Sequence, residues 1–160
     1  MRYCIDTSGL THGWRDYYPP DIFPALWKDI EGLIDSGGLI STEEVLKELE
    51  IGGDDLYQWA LKRTHMFLPL DADIQIAVSS ILAHPEHSKL IHPHSYSQTD
   101  ADPFVIATAQ VKGCAVISNE KLMLSPSPTK TKIPNVCQDL GIKHLSFLEF
   151  VRAEGWIYKR

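Results

Sequence analysis

Apolar residues along the chain fall into short buried runs, separated by longer stretches in which they recur every three or four positions. The first run is Tyr3-Cys4-Ile5. It stops on Asp6, after which two hydroxyl residues and Gly9 break the pattern. Leu39-Ile40-Ser41, Met66-Phe67-Leu68-Pro69-Leu70, Cys114-Ala115-Val116-Ile117-Ser118 and the segment from Lys143 to Leu145 have the same strand-like character. Between them the period is helical. Ile22, Leu26, Ile30, Leu33 and Ile34 predict a helix with Pro24 in its first turn and Ser36-Gly37-Gly38 at its end. Val45, Leu46 and Leu49 predict a second, opened by Ser41-Thr42-Glu43-Glu44 as a capping box with Ser41 at the N-cap, and closed by Gly52-Gly53. Asp54-Asp55 begins a third, and Asp71 or Asp73 begins a fourth running through Ile74, Val78 and Ile81. Asp102-Pro103 opens a fifth that Gly113 ends. Ile133 to Val136 leads into a helical turn, and Ser146 caps a last helix. Three stretches read as loops: Leu10 to Pro20, His84 to Gln98, and the Pro/Ser/Thr/Lys-rich segment from Leu124 to Lys132.

Strands that alternate with helices predict an α/β fold, three layers deep, with a central, mostly parallel sheet and helices on both faces. No internal repeat or compositional break interrupts the alternation, so residues 1–160 are expected to form one domain.

Composition and charge narrow the picture. The chain is 44% hydrophobic and 22% charged, an ordinary globular balance. Its net charge is −6, which argues against gripping nucleic acid by charge alone but not against a local basic rim beside a metal. Cys4, Cys114 and Cys137 are far apart and in no metal-ligand spacing, so they read as small buried thiols in a reducing compartment. No apolar run has signal-peptide or membrane-spanning character; the expectation is a cytoplasmic protein with no membrane association.

The candidate chemistry lies in four acids. In a parallel sheet with crossover helices, acids that follow strands project from one edge, where ligands gather. Asp6 follows the first strand and Glu120 follows the strand ending in Ser118. Glu48 borders the apolar face of its helix. It is favoured over Glu44, which also lies near that edge but has a capping role in the expected box. Asp102 starts a helix; Asp before Pro also reads simply as an N-cap. Glu120 equally reads as part of a polar loop. Carboxylates crowded at one edge repel and resist ionising. A bound Mg²⁺ or Mn²⁺ removes that conflict, because hard cations take oxygen ligands.

Four segments carry a resemblance. They are Ile5-Asp6-Thr7-Ser8, Glu48-Leu49, the run from Asp102 to Ala109, and Ser118-Asn119-Glu120. In this order and spacing the chain resembles the PIN-domain family of metal-dependent ribonucleases, which includes the VapC-type toxins of bacterial toxin–antitoxin pairs. The run from Ala101 to Glu120 is the most specific part. The segment with Trp14 and Pro19-Pro20 looks closer to an uncharacterised PIN-like branch than to a small VapC. One departure stands out: the fourth acid is Glu120, beside Asn119, where the family usually has Asp.

The resemblance implies a PIN-like fold and hydrolysis of RNA phosphodiesters with Mg²⁺ or Mn²⁺. Asp6 and Asp102 would be direct ligands. Glu48 would bind the metal or orient the attacking water, and Glu120 would complete the site or a second, weaker one. Ser8, Asp100, Ser118 and Asn119 would support these groups. Arg15, Lys121, Lys130 and Lys132 are candidates for holding the RNA backbone, against a plain reading as solvated charge. An antitoxin partner is implied, and a homodimer is in keeping with the family; Trp14, Tyr17, Tyr18, Trp156 and Tyr158 would serve an interface or pack on the core.

Three other readings compete. His84, His87, His92 and His94 form an H-x-x-H…H-x-H cluster of the kind that binds Zn²⁺. A PIN-like fold can persist as an inactive binding or scaffold module. A phosphate-transfer domain using Asp6 as nucleophile fits least: no second Asp follows two residues on, and no Gly-rich, Lys-containing phosphate loop is present.

Overall fold

A computed structural model describes residues 2–91 and 100–159. Five strands form one sheet: β1 (Tyr3–Ile5), β2 (Leu39–Thr42), β3 (Phe67–Leu68), β4 (Ala115–Ile117) and β5 (His144–Leu145). Their order is β3-β2-β1-β4-β5, and every pairing is parallel. Cys4 is opposite Ile40 on one side and Val116 on the other. Strands this short and this apolar stay in a sheet only when both faces are covered, as here: Cys4, Ile5, Leu39, Val116 and Ile117 are all buried.

The covering helices are α1 (Thr7–His12), α2 (Pro24–Asp35), α3 (Glu43–Gly52), α4 (Asp55–Leu61), α5 (Ala72–Ala83), α6 (Asp102–Lys112), α7 (Ile133–Leu140) and α8 (Phe147–Ala153). Pro24 sits in the first turn of α2, and Gly53 and Gly113 end α3 and α6 at φ 57° and 64°, where a side chain would be strained. Asp54, Asp71 and Ser146 cap α4, α5 and α8, the last through a reciprocal box with Glu149. Among the described residues no helix is long and apolar enough to cross a membrane, and all three cysteines are buried free thiols.

Three expectations are corrected. Leu10 to Pro20 is not an open loop: α1 runs directly into a π-helix, Gly13–Tyr17. The segment has too little apolar periodicity to signal a helix. Its stability comes from the Asp6 cap, buried Leu10, and Gly13 pressed so closely on Phe147 that a Cβ would lie 2.5 Å from the ring. Second, Thr42 rather than Ser41 caps α3, accepting from the Val45 N–H at 3.4 Å. Ser41 is still in the strand, and its hydroxyl donates to the Ile5 carbonyl at 2.6 Å. Glu44 therefore closes no box and pairs with Lys47 at 2.6 Å. Third, the turn near Ile133 is a full eight-residue helix.

The strand order changes direction at β1. The chain builds outward through β2 and β3, then returns to place β4 on β1's other side. The crevice between the carboxyl ends of β1 and β4 is where such sheets hold ligands. Asp6 and Asn119-Glu120 follow those two strands.

Candidate active site

Asp6 is fixed by its own turn. It caps α1, and its Oδ2 accepts the Ser8 N–H at 3.0 Å and the Ser8 hydroxyl at 2.7 Å. The Asp6 N–H continues the ladder to the Ile117 carbonyl at 2.8 Å, so the carboxylate sits just beyond the paired strands. Gly9 lets α1 approach this closely; a Cβ there would lie 3.2 Å from the Ile117 carbonyl. Asp6 is only 3% exposed, and its Oδ1 is one of two buried side-chain oxygens without a partner among the described residues, the other being Thr108 Oγ1. A buried acceptor left unmatched is costly and rare.

Ser8 also reaches the neighbouring strand, because its Oγ accepts the Asn119 N–H at 3.0 Å. Ser8 thereby locks the turn after β1 to the turn after β4. Ser118 braces the same edge from the other side. Its Oγ lies 2.7 Å from His144 Nε2 and accepts the Glu120 N–H at 3.2 Å. Burial holds the His144 pKa below its ordinary value, against the pull of Glu149.

Glu48 occupies the half-buried edge of α3, as its helical position predicts. Its Oε1 accepts the Ala101 N–H at 3.0 Å and its Oε2 accepts the Thr7 hydroxyl. Asp102 is the first residue of α6, inside the helix; Ala101 holds the cap position. The plain capping role for Asp102 is therefore absent. Glu120 Oε2 accepts the Ile133 N–H at the start of α7, at 2.8 Å.

The electrostatics bind these placements together. Asp102 is pushed up to about 9, first by burial and then by repulsion from Asp6, Glu120, Asp100 and Glu48. Burial also raises Asp6, against the pull of the Ser8 bonds. Glu48 and Glu120 are raised as well, burial again leading; Thr7 and Ala101 counter it at Glu48, and Ile133 and Lys132 at Glu120. The structure thus brings Asp102 within reach of the charges of Asp6, Glu48 and Glu120, and Asp6 within reach of Glu48 and Glu120. Among the described residues none of the four is in an ion pair with a Lys or Arg.

Chemically, the donor set suits a hard divalent cation: only carboxylate oxygens are offered, and Asp6 Oδ1 is buried and unmatched. As the side chains stand, no three His, Cys, Asp or Glu among the described residues converge on a metal position. Holding an ion requires carboxylates to turn inward.

The other predicted site residues divide. Asp100 acts electrostatically on Asp102, Glu48 and Glu120. Lys132 is half-buried near Glu120, while Lys121 and Lys130 are exposed on the segment that follows it. Arg15 is instead tied to Asp54, its Nε donating at 2.9 Å. In the histidine cluster, His84 and His87 stack with centroids 4.2 Å apart, and buried His87 contacts Asp139 at 3.1 Å. His92 and His94 lie outside the described residues. Of the aromatics, Trp14 packs on Trp27 and Trp59, Tyr18 on Phe147, and Trp156 on Phe150; Tyr17 is exposed. Thr7, His144 and the Ala101 and Ile133 N–H groups carry no signal in the sequence beyond their proximity to the acids.

Comparison with known proteins places the fold. The family model described as "Domain of unknown function (DUF4411)" matches residues 3–158. Among solved structures, the chain is similar to VapBC2 from Rickettsia felis bound to a DNA fragment from their promoter. The TM-score is 0.55 at 12% identity, over 91% of this chain and 98% of that one. At that identity the likeness is one of fold, and it agrees with the PIN-like three-layer arrangement expected from the sequence. No curated protein matches the chain.

Proposed function

Since the chain belongs to the DUF4411 family, which carries no assigned activity, we propose from its acid cluster that it is a PIN-like, Mg²⁺- or Mn²⁺-dependent endoribonuclease. The observation that carries this reading is a cluster of buried acids: Asp6 Oδ1 is buried with no partner among the described residues, and Asp102 is raised by burial and by repulsion from Asp6, Glu120, Asp100 and Glu48. A fold does not maintain such a conflict for stability, and a divalent ion resolves it.

Asp6 and Asp102 would hold the ion most directly, with Glu48 and Glu120 completing its surroundings. When bound, the ion supplies positive charge at the scissile phosphate and makes the hydrolytic water easier to deprotonate. Ser8 keeps Asp6 aimed by occupying Oδ2 and leaving Oδ1 open. Lys132, with Lys121 and Lys130 on the same segment, brings the negatively charged RNA backbone toward an otherwise repulsive site. All described strands share one sheet and one core, which supports treating residues 1–160 as a single nuclease domain.

The resemblance to VapC-type toxins, with the fold similarity to a VapBC2 complex, supports a toxin working in the cytoplasm against an antitoxin, with a homodimer as the assembly. The test is RNA cleavage with Mn²⁺ by wild type and Asp6→Asn. Asparagine keeps an acceptor for Ser8, so the fold stays and cleavage disappears. Equal cleavage by both proteins would overturn the assignment, and absence of cleavage by wild type would favour a binding module.

A further inference from the structure

Glu48 has both carboxylate oxygens engaged, and its two partners are not arbitrary. Thr7, which donates its hydroxyl to Oε2, directly follows Asp6. Ala101, which donates its N–H to Oε1 at 3.0 Å, directly precedes Asp102. One side chain on α3 therefore ties the turn that carries Asp6 to the helix start that carries Asp102. The Ala101 contact comes from backbone and survives most substitutions. The Thr7 contact depends on one side-chain proton, since a hydroxyl has only one to give.

Thr7 is the first residue of α1, a position that needs no hydroxyl for helix formation. Asp6 already supplies the cap. The Thr7 hydroxyl thus has no role in its own helix, and its only side-chain partner among the described residues is Glu48. Without it, Glu48 keeps a single anchor and can rotate about the Ala101 bond.

We propose that Thr7 is a positioning residue: its hydroxyl orients Glu48 and so sets the spacing of Asp6 and Asp102 for a divalent cation. This rests on the metal-site reading above. Partners that orient metal ligands typically matter by 10- to 100-fold in affinity.

The experiment is Mn²⁺ titration calorimetry on the full chain, stripped with EDTA, as wild type, Thr7→Val, Thr7→Ser, Glu48→Ala and the Thr7→Val/Glu48→Ala double variant. Valine keeps the shape and removes the donor; serine keeps the donor. Thr7→Val should weaken Mn²⁺ binding about 10- to 100-fold, Thr7→Ser should restore most of it, and Thr7→Val should cost nothing further once Glu48→Ala has removed its partner. Cleavage by Thr7→Val should need more Mn²⁺ for half-maximal rate yet recover at saturation. The proposal is overturned if Thr7→Val binds Mn²⁺ like wild type, if Thr7→Ser is as weak as Thr7→Val, or if the two losses add. Urea unfolding of the same set in EDTA separates the two failures. Non-additive stabilities with no Mn²⁺ uptake by wild type would leave the contact real but purely structural, and would overturn the metal-site reading and Thr7's role in it.

Discussion

Beside Trp59, the carboxylate of Glu31 has what a buried-edge acid needs. Trp59 Nε1 donates to it at 2.9 Å, Arg63 pairs with it at 2.5 Å, and the Arg63 guanidinium lies 4.7 Å over the Trp59 ring. Around Asp6 the opposite holds. Four acids share one edge of the sheet, their pKa values are raised, and neutral hydroxyls and N–H groups are their only hydrogen-bond partners among the described residues. The Glu31 cluster is matched within the chain; the Asp6 cluster is not, and in the proposed reading a cation from outside completes it. An acid that is matched serves the fold, and an acid that is buried and unmatched points to a ligand.

The contrast is broken most severely at Asp6. Asp6→Asn removes one of the crowded charges while keeping the Ser8 bonds. Mn²⁺-dependent cleavage should fall below about one hundredth of wild type, and the metal-free protein should become more stable, read as a higher melting temperature in EDTA. A lower melting temperature with intact cleavage would show that Asp6 is a structural cap only.

Next comes pH. Asp102 is pushed up to about 9 in the folded chain, against about 3.9 for an unfolded Asp. A raised carboxyl favours folding while it is protonated. Its contribution is fully present below about pH 4 and is lost as pH rises through about 9. In EDTA, urea unfolding should therefore show stability falling from pH 5 toward pH 9, and Mn²⁺ should flatten that slope. The same slope with and without Mn²⁺ would separate Asp102 from any ion.

The matched region should respond the other way. Arg63→Met should lower stability by about 1–2 kcal/mol, since it removes a partly buried ion pair and a cation–π contact, and should leave Mn²⁺ affinity unchanged. The smallest effect belongs to Arg15→Ala. This exposed pair with Asp54 should contribute less than about 1 kcal/mol, and its loss should raise the KM for RNA less than Lys132→Ala does. A larger KM effect at Arg15 would extend the substrate path toward α4.

Much of this was legible in the sequence because it depends on local rules. The five strands are short apolar runs, and the Asp54 and Ser146 caps are visible as residue types. Asp6, Glu48, Asp102 and Glu120 could be chosen because strand ends and a helix edge are predictable places for acids. What was not legible depends on contacts between distant segments. Ser41 looked like the cap of α3, but its hydroxyl is drawn to the Ile5 carbonyl in the next strand. Asp102 looked like a cap, but the helix begins one residue too early for it to act as one. The α1 and π-helical segment is held by Asp6 and Phe147 rather than by its own periodicity, and Thr7 has meaning only once α3 brings Glu48 to it.

In the proposed reading, four acids from four separate elements form one cation site. Mn²⁺ titration calorimetry at neutral pH tests it most directly, on EDTA-stripped wild type beside Asp6→Asn and Asp102→Asn. Wild type should bind saturably and each variant should lose binding, with folded baselines preserved. Binding that survives both substitutions, or none in wild type, would contradict it.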